Sequence, residues 1–135
     1  MIPRPRSACP INRSLEMLGD RWSLLILRDI VLHDRRSFRE LLTGSEEGIS
    51  APVLSRRLAD LVEAGFLTKS EVARGKQGRY SLTEQGLATV PLLIELGHLG
   101  ARIDPSTTPN APRIGTGPDD LARRIAVLRE AHLAD

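Results

Sequence analysis

"GISAPVLSRRLADLVEAGFL", residues 48–67, reads as a helix with two unlike faces. With Leu54 as origin and a turn of about 100° per residue, Leu58, Leu61 and Val62 fall within about 80° of it and form one apolar stripe. Arg56 lies at roughly 200°, the middle of the opposite face. That face mixes Pro52, Val53, Arg56, Ala59 and Asp60. Ser50 is placed to cap the helix, and Gly65 to stop it in the left-handed conformation. An isolated helix of this kind is most simply solvated and idle on its polar side. What flanks it decides whether that face has work to do.

Upstream, "SFRE" (37–40) is a capping box, Ser37 capping while Glu40 reaches back, and it opens a short helix ahead of Gly44 and Gly48. Before it, "DRWSLLILRDIVL" (20–32) begins with Asp20 as N-cap and is almost wholly apolar, so it reads as a buried central helix. Earlier still, Pro10 suits a first helical position, and Ile11, Leu15 and Leu18 follow at i, i+4 and i+7 until Gly19. Downstream, "FLTKSEVA" (66–73) and "RYSLT" (79–83) flank the Gly-rich basic turn "RGKQG" (74–78), which makes a hairpin. Thr83 caps a helix over 84–101, in which Pro91 interrupts the hydrogen-bond ladder and imposes a bend. Residues 104–117 hold three of the nine prolines and two glycines and read as a linker, and a last helix covers about 118–133. The expected organisation is a domain over 8–102, a linker over 103–117 and a C-terminal helix within 118–135. A short helix, a turn, a second helix with a polar outer face and a basic hairpin in series predict a mainly α chain with a small β-hairpin wing. This is an α+β winged helix-turn-helix, a DNA-binding domain with added dimerisation helices.

Composition narrows the alternatives. A length of 135 residues suits one domain with an appended arm, and 3% aromatics require a core of Leu, Ile, Val and Ala. Charge is uneven: residues 48–82 carry six Lys/Arg against three Asp/Glu, whereas 83–135 carry five against seven. The basic part therefore contains the helix in question, although this excess is modest for a phosphate-binding surface. No apolar run reaches membrane-spanning length and the N-terminus lacks a secretory apolar stretch, so no membrane partner is expected. The single cysteine, Cys9, forms no intramolecular disulfide, and a reducing cytoplasm is the expected location. His33, His98 and His132 are scattered without metal-ligand spacing, "GKQGRY" lacks the upstream glycine and the hydroxyl of a phosphate loop, and no nucleophile elbow occurs. Neither an enzyme nor a cofactor or metal site is expected.

Candidate site residues follow from the layout. Arg56 is placed to reach a base edge, where bidentate bonding to guanine is the commonest specific contact. Arg57, about 100° away, suits either a phosphate or an internal carboxylate. Ser50, Pro52 and Ser55 begin the helix, where backbone amides favour phosphate, and Ser50 also serves as a simple cap. Arg74, Lys76 and Arg79 of the wing suit the phosphate backbone. Arg35, Arg36 and Arg39 read as a further basic patch, with Arg39 on the helix that crosses the backbone. Trp22 belongs to the core or a dimer seam. In 84–101, Leu87, Val90 and Ile94 make one apolar face and Ala88, Leu92, Leu96 and Leu99 another. One small domain offers one core, so the second face, together with Leu15, is assigned to a homodimer interface. Leu121, Ile125 and Leu128 of the last helix are expected on the N-terminal helix or on the partner chain. Cys9 precedes Pro10 at a helix start, where the positive end of the helix dipole favours a thiolate, with Arg4, Arg6 and Arg13 near in sequence. The plain alternative is a small buried apolar residue.

The stretches "CPINRSLEMLGDRWSLLILRDI", "RRSFRELL", "GISAPVLSRRLADLVEAGFL", "YSLTEQG" and "PLLIELGHLG" together resemble the HxlR-type winged helix-turn-helix regulators, relatives of the MarR group. The resemblance covers about residues 8–102. It implies a dimeric bacterial or archaeal transcription regulator on pseudo-palindromic DNA. It also implies sensing of oxidants or electrophiles through a cysteine near the N-terminus, a position Cys9 matches. Leu99 stands where the family often has tryptophan, and the short wing "RGKQGR" lacks a common proline. Two alternatives stay open: a small non-covalent effector at the dimer interface, and a winged-helix protein-interaction module without a DNA site.

Overall fold

A computed structural model describes residues 4–71, 78–111 and 118–133. Helix α1 (Pro10–Leu18) starts on a proline, which has no amide to satisfy in the first turn, and ends at Gly19. Helix α2 (Ser23–His33) is the central one, burying Ile26, Leu27, Ile30 and Val31. The N-cap is Trp22, not Asp20 as the sequence suggested, but the Asp20 carboxylate still serves the helix start, accepting the Trp22 and Ser23 amides at 2.9 Å each. Burial opposes ionisation of this carboxyl, but the Ser23 hydroxyl and the two amides hold it below its ordinary value. Asp34 ends α2 in the left-handed region at φ 51°, a conformation that Asp tolerates.

Helix α3 (Phe38–Thr43) carries the complete Ser37–Glu40 capping box, and α4 (Ala51–Glu63) is capped by Ser50. Leu54, Leu58 and Leu61 of α4 enter the core, whereas Val62, expected with them, sits at the margin of the stripe and is 36% exposed. Gly65 takes φ 87° and turns the chain into β1 (Leu67–Lys69). This strand pairs antiparallel with β2 (Tyr80–Leu82) in the register Leu67↔Leu82, Thr68↔Ser81 and Lys69↔Tyr80.

The helix expected over 84–101 is two helices, α5 (Glu84–Leu87) and α6 (Val90–Ile103). Pro91 sits in the first turn of α6 instead of bending one long helix. A proline ring has no amide to bond four residues back, but in a first turn that loss costs nothing. α5 also closes the end of α4: Thr83 Oγ1 donates to the Gly65 carbonyl at 2.5 Å and Gln85 Nε2 to the Ala64 carbonyl at 2.8 Å. A Cβ on Gly86 would stand 2.3 Å from the Phe66 carbonyl oxygen, so the contact between α5 and the start of β1 requires glycine. After α6 a 3-10 turn runs over Pro105–Asn110 inside the stretch expected to be a linker.

Helix α7 (Pro118–Leu133) packs against β2 and α5 of its own chain, not on α1, one of the two places the sequence suggested. Leu128 is buried in the core cluster, with Leu121 and Ile125 packed beside it. Arg124 donates to the Val31 carbonyl at 3.0 Å, and Arg129 grips Glu84 through two bonds of 3.0 and 2.7 Å. The polar groups that direct α7 to this place are not visible in its apolar periodicity.

Candidate nucleic-acid interface

The core stripe of α4 leaves Ala51, Pro52, Ser55, Arg56, Ala59 and Asp60 exposed. Arg56 is at the middle of this surface, and among the described residues it has neither a hydrogen bond nor an ion pair. Arg57 is committed inward: its guanidinium lies 3.8 Å from Asp20 and 3.3 Å from Asp60. Of the two roles open to it from sequence, the internal carboxylate is the one its geometry shows. Ser50 Oγ accepts the Val53 amide at 3.4 Å, the cap role, while Pro52 and Ser55 stand exposed on the first turns of α4.

The HTH pair is fixed to α2 by ionic contacts. Arg28 donates to both carboxylate oxygens of Glu47 at 2.8 Å and to Asp29 at 3.0 Å. These bonds, Glu47 first, raise the Arg28 pKa still further above its ordinary value. Buried Asp29 also draws Arg35 to 3.5 Å. Arg36 is not surface charge at all: it is 7% exposed and threads between β2 and α7. The expected patch of Arg35, Arg36 and Arg39 is therefore dispersed. Arg39 alone is exposed, on α3, and it too has an interaction within the chain.

At the base of the wing, Arg79 is exposed while its backbone is locked to Ser70, accepting the Ser70 amide at 2.8 Å and donating to Ser70 Oγ at 3.0 Å. Lys69, which sequence reasoning did not single out, is exposed across the strands, its Nζ 5.7 Å from the Tyr80 ring centre. The alternation around "LTKS" carried that signal. Arg74 and Lys76 lie outside the described residues.

Two further surfaces matter. Leu15 with Ile11 on α1, and Leu92, Leu96 and Leu99 with Ile103 on α6, are all exposed. Leu87, Val90 and Ile94 are buried, so the two-faced character of the 84–101 segment holds. Trp22 is half-buried against the core. Cys9 is exposed rather than buried, and its carbonyl accepts the Arg13 amide at 3.0 Å. Arg6 Nε lies 3.9 Å from the Glu16 carboxylate. Between α2 and α6 lies a cavity of about 250 Å³ whose lining includes Leu24, Leu25, Leu32, Leu93 and Leu96 together with the polar Arg28 and Asn110. Among the described residues no helix is long and apolar enough to cross a membrane.

A short capped helix, a turn, a second helix with an exposed polar face and an antiparallel hairpin define the winged helix-turn-helix class of fold. The sequence model of the HxlR-like helix-turn-helix family matches residues 17–107. Over 91 residues the chain is 37% identical to an uncharacterized HTH-type transcriptional regulator of Mycobacterium bovis, a match over 64% of this chain and 56% of that relative. The chain thus spans little more than half the length of that relative. Its fold is similar to a solved structure from Porphyromonas gingivalis assigned to the MarR family of transcriptional regulators. There the TM-score is 0.62 at 27% identity, over 74% of this chain and 95% of the other. It is also similar to the reduced form of the transcriptional regulator YodB from B. subtilis, with TM-score 0.58 at 27% identity over 73% and 96% of the two chains. The chain belongs to the HxlR-like helix-turn-helix family.

Proposed function

We propose that the chain is a transcription regulator that binds pseudo-palindromic DNA as a homodimer, its winged helix-turn-helix over 8–102 joined through 103–117 to the helical tail. The observation that carries this is Arg56, unpartnered and central on the exposed face of α4, with exposed Arg79 at the base of the following wing. α4 enters the major groove, Ser50, Pro52 and Ser55 border the backbone, and Arg39 and Arg79, with Arg74 and Lys76, meet phosphates. Arg57 supports this indirectly, by holding α4 to Asp20. The exposed leucines, Leu15, Leu92, Leu96 and Leu99, pair two copies. Selection from a library of random duplexes by the purified chain tests this. The expected product has two inverted half-sites about one helical turn apart, or a multiple. Absence of enrichment rejects the DNA reading in favour of a winged-helix protein-interaction module.

The switch we propose is modification of Cys9, which stands exposed at the start of α1, the helix that carries Leu15 of the proposed dimer surface. Likeness to a regulator solved in its reduced form adds support. Diamide or an aldehyde should release DNA from the wild-type chain and not from Cys9→Ser; release from both rejects the switch. The apolar cavity between α2 and α6 favours a second reading, a small non-covalent effector seated against Leu96 at the dimer seam.

A further inference from the structure

β2 is a strand of three residues, and a two-stranded hairpin of this size is marginal by itself. Along its side away from β1, its backbone groups are taken by distant residues. The Tyr80 amide donates to the Arg36 carbonyl at 2.7 Å, and Arg36 Nε donates back to the Tyr80 carbonyl at 3.0 Å. Arg36 Nη2 donates to Ser81 Oγ at 2.5 Å, and Nη1 reaches the Ala131 carbonyl of α7 at 3.4 Å. Two residues on, the Leu82 amide donates to His132 Nδ1 at 2.9 Å. The same Arg36 donates its own amide to Glu40 Oε1 at 3.1 Å, the carboxylate that completes the α3 capping box. One buried residue therefore joins the start of the helix-turn-helix, the wing strand and α7.

We propose that Arg36 and His132 are positioning residues for DNA binding, holding β2 at a fixed angle to α3 and α4 so that α7 acts as a brace for the wing. This rests on the DNA-binding reading above. Arg79 directly precedes Tyr80, so the clamp on Tyr80 fixes the backbone from which the exposed Arg79 side chain projects. α7 lies beyond residues 17–107, the part matched to the family, and His132 and the Ala131 carbonyl belong to it. Loss of the His132 acceptor would leave the Leu82 amide buried without a partner and loosen the hold of α7 on the strand.

The test compares His132→Leu with His132→Asn. Asparagine Oδ1 stands the same two bonds from Cβ as histidine Nδ1, so it restores the acceptor. The probe is a fluorescently labelled mixed-sequence duplex, titrated across a range of salt. His132→Leu should bind about tenfold more weakly, with the slope of log K against log salt reduced by about one, the signature of one lost phosphate contact. His132→Asn should stay within about twofold of wild type at an unchanged slope. General loss of stability weakens binding without moving the slope, so a weaker His132→Leu with the wild-type slope overturns the proposal. Wild-type affinity in His132→Leu, or equal losses in both variants, overturns it too. Arg36→Met, which keeps the aliphatic stem and removes the donors, should repeat the His132→Leu result and replaces it if that variant does not fold. A wild-type chain that retains no duplex overturns the DNA reading itself, an outcome distinct from any difference between variants.

Discussion

Arg56 and Arg57 are neighbours in sequence with opposite situations, and only part of that was legible beforehand. Helical spacing separates their directions, which placed Arg56 outward. It left Arg57 open, because its carboxylates are Asp60 on its own helix and Asp20 far back along the chain. Arg36 was misread for the same reason: three arginines in five residues look like a surface patch until long-range acceptors such as the Tyr80 carbonyl are in place. Arg56→Ala should cost about 1–3 kcal/mol of DNA affinity and relax preference at one base pair, measured on matched and substituted sites. An equal loss on every sequence would reduce Arg56 to a phosphate contact. His132 is 8% exposed, and burial, then the Arg36 charge, pushes its pKa from about 6.5 down to about 4. The folded state thus favours the neutral ring that accepts from Leu82, while the unfolded chain takes up a proton first. Its contribution to stability is full above about pH 6.5 and is lost as pH falls toward 4, at no more than about 1.4 kcal/mol per pH unit. Denaturant unfolding at several pH values should show this slope flattened in His132→Asn; an identical slope in both chains removes His132 as its source.

Capping chemistry made the elements readable: Ser37 with Glu40, Ser50, Thr83 and the positive-φ Gly65 all act where the sequence placed them. The division of 84–101 was not readable, because a proline is equally at home as a kink or in a first turn, and buried Thr89 with its hydroxyl on the Gly86 carbonyl decides between them. α6 is where the assembly proposal is most exposed to test. Leu96 is 41% exposed in the single chain, so Leu96→Asp should leave the fold standing. At a dimer seam it would bury an unpaired carboxylate at a cost of several kcal/mol. Light scattering should then report monomer, with DNA retention lost. A stable dimer in this variant rejects α6 as the seam.

At the scale of the whole molecule, the order of elements carried the fold, while the partners of the tail did not show. Arg124 and Arg129 of α7 are spoken for by the Val31 carbonyl and by Glu84. If the exposed leucines of α1 and α6 join two copies, the unfolding midpoint should rise with protein concentration, because association stabilises only the folded chain. Scanning calorimetry over a wide concentration range checks this, and a constant midpoint denies a folding-linked dimer. The covering of β2 by Arg36 and His132 has one more consequence. A strand with unpaired amides and carbonyls is a template for a strand from another molecule, and natural sheets hide such edges beneath a helix or loop. Here the helix is α7, and the Leu82 amide it occupies is the donor an invading strand would seek. The tail that steadies the wing thereby also protects the protein from edge-to-edge aggregation.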